Sequence, residues 1–123
     1  MIRYSEILLI AAEAANELGN TQAAIDDLEL VRARARNGAT NPSSVLPKVT
    51  TTNKDDMRAA IKRERRVELA MEWDRFYDLV RWGDAQSVLG AAGKNYLPKH
   101  KYFPLPQAEI DKSNGVLVQN PNY

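Results

Sequence analysis

The sequence contains no cysteine and a single histidine, His100. Disulfides and zinc–thiolate sites are therefore excluded, and the redox compartment cannot be read from cysteine usage. Charge of one sign is missing too: 17 basic residues face 16 acidic ones, for a net +1. Nucleic-acid binders carry a basic field that this chain lacks, so nucleic acid is not expected as a partner. The longest apolar run, Ile7 to Ala12, is six residues, against the ~20 that span a bilayer. No charged-then-apolar leader precedes a cleavage site, so no secretion signal is expected within this stretch. A glycine-rich phosphate loop, a Gly-x-Ser-x-Gly elbow and a His-Glu-x-x-His pair are all absent. His100 lies between Lys99 and Lys101, a context that reads as a solvated turn and gives no basis for a catalytic triad. What remains is 123 residues, 44% hydrophobic and 27% charged. That is one domain or part of one, too apolar for disorder and long enough for a modest core.

The chain reads as all-α. Tyr4, Leu8, Ala11, Ala15 and Leu18 recur at helical steps, predicting a helix over 4–18 with that face inward. Gly19-Asn20 breaks it, and Asn20 or Thr21 can cap a second helix reaching about residue 36. Its inner face would be Ala24, Ile25, Leu28, Val31 and Ala35. Arg32, Arg34 and Arg36 suit its negative end, and Asn37-Gly38 offers a left-handed stop. Two such helices form a tetratricopeptide-like hairpin. Residues 37–54, rich in Pro, Ser and Thr, read as a loop. A long third helix is predicted from Asp55-Asp56 to about Trp82, followed by a short one over 84–89. From residue 90 onward prolines interrupt the pattern, predicting an irregular, extended wrap to 123.

The third helix poses the main chemical question. Met57, Ile61, Glu64, Glu68, Met71, Glu72, Arg75, Leu79 and Trp82 fall on one arc of a continuous helix. Such an arc is ordinarily apolar, yet Glu64, Glu68 and Glu72 form a like-charged row within it. A carboxylate metal site would want Glu-x-x-His pairs, which are absent. A glycosidase would want two carboxylates across a cleft, which one helix face does not make. The favoured reading is a structural ion network in which Arg32, Arg63, Arg65, Arg66 or Arg75 answer Glu64, Glu68 and Glu72. No metal, cofactor or catalytic residue is expected. Among the aromatics, Phe76 and Trp82 read as core. Trp73 and Tyr77, one turn apart beside Arg66, read as a possible interface.

Four motifs, in order, carry a resemblance. They are Arg3-Tyr4-Ser5-Glu6-Ile7-Leu8-Leu9-Ile10 with Ala12-Glu13-Ala14, and Val31-Arg32-Ala33-Arg34-Ala35. Next come Glu64-Arg65-Arg66-x-Glu68-Leu69, then Glu72, Arg75 and Asp78-Leu79-x-Arg81-Trp82-Gly83. Last is Phe103-Pro104-Leu105-Pro106-x-x-Glu109-Ile110, ending Gln119-Asn120-Pro121-Asn122-Tyr123. Together they resemble the C-terminal part of the SusD/RagB family of outer-membrane nutrient-binding lipoproteins. Leu105 stands for the family's usual Ile, Asn122 for Gly, and Trp73 where Gly is frequent. The resemblance implies a helical, tetratricopeptide-like scaffold. It also implies a full-length protein several times longer, anchored to the cell-surface face of the outer membrane by an N-terminal lipid that this chain lacks. Such a protein would sit on a SusC-like TonB-dependent transporter and capture oligosaccharides or peptides without catalysis. The family's sugar contacts lie outside these motifs, so none is carried over. The alternative reading is a free-standing tetratricopeptide-like module for protein partners.

Overall fold

The computed structural model describes residues 2–123. The described residues form helices and connecting segments with no strand among them. In order these are α1 (Tyr4–Glu17), α2 (Thr21–Asn37), α3 (Pro42–Val45), α4 (Lys54–Glu68), α5 (Asp74–Trp82), α6 (Ala85–Ala91), a 3-10 turn (Pro98–Lys101) and α7 (Gln107–Lys112). The chain divides into two compact units, one ending at Arg75 and the other running from Phe76 to Tyr123.

In the first unit α1 packs on α2 and α4, and α2 packs on α4. Leu8, Leu9 and Ala12 of α1, Ala24, Leu28 and Val31 of α2, and Met57 and Ile61 of α4 make the core. The hairpin turn closes with Gly19 at φ +84, a left-handed position that glycine occupies without the Cβ penalty. Asn20 caps α2 by accepting from the Ala23 N–H at 3.2 Å. Asn53 caps α4 by accepting from the Asp55 and Asp56 N–H groups. Each cap satisfies donors that a helix start leaves orphaned.

Several expectations are corrected. The buried face of α1 is Ser5, Leu8, Leu9, Ala12 and Asn16, whereas Tyr4, Ala11 and Leu18 are exposed. That helix is apolar round most of its circumference, so periodicity alone could not choose the face. Ala35 is exposed while Ala24, Leu28 and Val31 are buried. Gly38 has φ −89, so α2 ends without a left-handed stop. The 37–54 segment holds the short α3, and the tail holds α7 and the 3-10 turn.

The largest difference is in the third helix, which stops at Glu68; α5 starts only at Asp74. No Gly or Pro causes the break. In a continuous helix the Glu68 carbonyl would accept the Glu72 N–H. Here it accepts Arg3 Nη2 at 2.8 Å, and the Glu72 N–H turns to the Leu69 carbonyl at 3.2 Å. Met71 and Trp73 take φ +68 and +71 to complete the turn. The tightening starts at Ala70, whose N–H bonds the Val67 carbonyl at 3.4 Å, and the guanidinium of Arg3 satisfies the Glu68 carbonyl that the break leaves without its helical donor.

The hairpin is tied to α4 at its other end by Glu17. Arg58 grips its carboxylate with two bonds, at 2.6 and 2.8 Å, and Lys54 Nζ donates to its carbonyl at 2.7 Å. Hydrogen bonding from Arg58 draws the Glu17 carboxyl down to about 2. A depressed carboxylate contributes stability that is present above its unfolded value near 4.3 and lost as pH falls toward the folded value. Glu17→Gln should therefore flatten the stability–pH curve between about pH 5 and 2, by a small, salt-sensitive amount because the pair is solvated. Urea melts across that range check it; identical slopes for the two proteins would reject it.

In the second unit, Asp78 is buried and accepts a fork from Arg81, at 2.9 Å on both nitrogens. The tail folds back on itself. Pro104 and Pro106 have no N–H, so Leu105 carries the one donor of that run. Gln119 brackets it, accepting the Leu105 N–H at 2.8 Å and donating to the Leu105 carbonyl at 2.9 Å. Asn120 donates to the Phe103 carbonyl at 2.6 Å and the Tyr123 hydroxyl to the Tyr102 carbonyl at 2.8 Å.

Candidate functional site

Three elements of the first unit bring charge together. Arg32 of α2 donates to Glu64 of α4 at 2.5 Å and to the Pro47 carbonyl at 2.7 Å. One turn further along α4, Glu68 Oε1 accepts from Arg34 at 2.9 Å and from Arg3 at 3.1 Å. Arg3, the residue before α1, also holds Glu72 in a fork at 2.6 and 2.9 Å. The carboxylates of the row are thus committed to three guanidiniums from two segments distant in sequence, Arg3 before α1 and Arg32 and Arg34 of α2. The Arg32 and Arg34 bonds tie α2 to α4, and the Arg3 fork, which fixes direction as well as distance, ties the start of α1 to the connection after α4.

Of the residues proposed for a network, Arg32, Glu64, Glu68 and Glu72 lie in these pairs. Arg65 is buried and has partners. Arg66 is exposed and Arg75 half-buried, and neither is bonded to the three glutamates. Arg3 and Arg34 were absent from the sequence-based set. Arg34 had a usable signal, since Arg32 and Arg34 precede the helix end together. Arg3 had none, being 61 or more positions from every member of the row.

Trp73 and Tyr77 do not share a helix turn. Trp73 stands in the connection before α5 and is 89% exposed, beside Met71 at 97%. A bulky residue in the left-handed region is strained by roughly 1 kcal/mol, and glycine is not. Trp73→Gly should therefore raise the stability of this chain by about 0.5–1 kcal/mol, read as a higher urea midpoint at unchanged slope. A drop in midpoint would mean that the indole makes contacts worth more than the strain.

Tyr77 belongs to an aromatic group in the second unit. Its ring lies edge-on to Phe76 at 5.8 Å and tilted to Phe103 at 6.5 Å. Phe76 also meets Phe103 and Tyr96 at 6.3 Å, and Tyr96 meets His100 at 5.9 Å. His100 Nδ1 accepts the Leu97 N–H at 3.1 Å, which organises the 3-10 turn. Among the described residues no group of His, Cys, Asp or Glu is arranged to hold a metal ion. No helix among them is long and apolar enough to cross a membrane. Chemically, the arrangement ties helices together through carboxylate–guanidinium bonds.

The profile of the SusD family matches residues 1–101. Among curated proteins, SusD-like protein P2 of Formosa agariphila is 34% identical over 99% of this chain and 25% of its own length. SusD-like protein P25 of the same organism is 33% identical over 98% of this chain and 23% of its own. The chain therefore spans about a quarter of the length of these relatives. A solved SusD homolog from Bacteroides thetaiotaomicron superposes with a TM-score of 0.84 at 28% identity, covering 100% of this chain and 26% of that one. Surface glycan-binding protein A from the same bacterium gives 0.70 at 38% identity, covering 98% and 24%.

Proposed function

The chain belongs to the SusD family, and on that premise we propose that it is the scaffold quarter of a cell-surface protein that captures glycans. In this reading the full-length protein is lipid-anchored at the outer membrane. It hands oligosaccharide to a SusC-like TonB-dependent transporter and performs no chemistry on it. Support for the glycan comes from the relative named as a surface glycan-binding protein, which is 38% identical to this chain.

The observation that carries the scaffold role is the commitment of Glu64, Glu68 and Glu72 to Arg32, Arg34 and Arg3. A glycosidase needs one carboxyl protonated and another free, in different environments. Here every carboxylate of the row is bonded to a guanidinium on a neighbouring segment, and all three share that one kind of environment. The row braces helices and offers a sugar neither an acid nor a nucleophile.

Calorimetric titration of a panel of oligosaccharides tests this on the full-length protein and the isolated chain in parallel. Binding by the full-length protein, no heat from the isolated chain and no hydrolysis by either is the expected result. Saturable binding by the isolated chain would move the glycan site into these residues. Release of reducing ends that is lost on Glu68→Gln would replace capture with catalysis.

A further inference from the structure

Asn37 and Asn114 each precede a glycine. In an Asn–Gly pair the main-chain nitrogen of the glycine lies within reach of the asparagine Cγ, and no Cβ on the glycine crowds its approach. Asn41 and Asn120 precede proline, whose nitrogen has no proton to lose. Every other asparagine precedes a residue with a side chain of its own.

The two pairs sit in different backbones. The Ser113 carbonyl accepts the Val116 N–H at 3.2 Å, with Asn114 at φ +52 and Gly115 at φ +86 between them. That is a turn with both central residues left-handed, the kind Asn–Gly favours. It engages the N–H of its fourth residue and leaves that of Gly115 unengaged. Asn114 and Gly115 are both exposed. The contact holding Asn114 from behind is long, its N–H meeting the Asp111 carbonyl at 3.4 Å. Asn37, by contrast, is the last residue of α2, and Ala39 donates to the Arg36 carbonyl at 2.9 Å. Arg36 is itself fastened to the Leu46 carbonyl and to Glu29. Rotating Asn37 to bring its side chain onto the Gly38 nitrogen strains these bonds.

We propose that Asn114 is a self-modification site, where the main chain converts asparagine to aspartate and isoaspartate. The Gly115 nitrogen loses its proton to hydroxide and attacks Asn114 Cγ. The new C–N bond closes a cyclic imide, the bond from Cγ to the side-chain nitrogen breaks, and ammonia leaves with a proton from water. Water then opens the imide. Cleavage at Cγ gives aspartate, and cleavage at the main-chain carbonyl gives isoaspartate. One water is consumed for each ammonia released, and nothing is oxidised or reduced. Isoaspartate adds a methylene to the main chain. The bonds from Val116 and Leu117 back to Ser113 then lose their register, just where the tail starts its return to Leu105 and Phe103.

The test holds the full-length protein at mildly alkaline pH over days. Peptides carrying Asn114 and Asn37 are followed by mass and by chromatographic separation of aspartate from isoaspartate. An isoaspartyl methyltransferase with a labelled methyl donor gives a second readout. Conversion at Asn114 should outpace that at Asn37 by at least about threefold, because Asn37 waits on local opening around Arg36. It should also quicken as pH rises, since the attacking nitrogen must be deprotonated. Asn114→Gly keeps a residue at home in the left-handed region and should abolish methyl acceptance by this peptide. No conversion at Asn114, a smaller ratio to Asn37, or a rate indifferent to pH overturns the proposal. No readout involves glycan or transporter, so the capture reading stands or falls separately.

Discussion

Arg32→Ala is expected to lower the unfolding free energy of this chain by about 3–5 kcal/mol. The Arg32 and Glu64 side chains are 11% and 9% exposed and their atoms are 2.5 Å apart. Truncating Arg32 leaves the Glu64 carboxylate buried without its cation, and the penalty is that of a stranded charge. The same change frees the Pro47 carbonyl, untying the loop between α2 and α4. Small domains have about 5–15 kcal/mol in total, so the variant should be partly unfolded at room temperature. A second measurement separates a stranded charge from a specific need for the pair. Arg32→Met combined with Glu64→Leu removes both charges at similar volume, and such replacements are often neutral. The double variant should recover most of the loss in urea melts at unchanged slope. If Arg32→Ala shifts stability by less than about 1 kcal/mol, the pair is solvated and the network does not brace the helices.

The contrast between that pair and the rest of the network shows what the residues reveal unaided. Helix content, the Gly19 turn, the Asn20 cap and the end of α6 follow from local chemistry, and those elements lie within a few residues of where the patterns put them. The like-charged row at Glu64, Glu68 and Glu72 was legible as a demand for cations, because charges on an inward arc require partners. Which cations answered was not legible. Arg3 reaches Glu68 and Glu72 across 65 and 69 positions of sequence, and no spacing rule spans such a gap. The break after Glu68 was not legible either, since no Gly or Pro marks it. Arg3 satisfies the Glu68 carbonyl where α4 ends, and Trp73 stands exposed in the connection and not on a helix surface. Such a tertiary bond exceeds the local preference of a few tenths of a kcal/mol per residue that favours continuation.

Leu9→Ala and Ile10→Ala turn the two-faced character of α1 into numbers. The residues are adjacent, similar in volume and indistinguishable by composition, yet Leu9 is 0% exposed and Ile10 50%. Leu9 packs among Leu28, Val31, Met57 and Ile61 in the core cluster, so its truncation removes transfer energy and leaves a cavity, for about 2–5 kcal/mol. Ile10 loses only the half of its surface already out of water, for about 1 kcal/mol or less. Urea melts of the isolated chain should therefore separate the two variants by at least ~1 kcal/mol. Equal losses would mean that Leu9 is not the inward residue, and the face assignment of α1 would have to rotate. Repeating the pair in full-length protein extends the argument. The Leu9 penalty belongs to contacts this chain makes by itself and should persist. The Ile10 penalty should grow only if its surroundings gain a covering layer, because burying the remaining half of an isoleucine adds roughly another 1 kcal/mol.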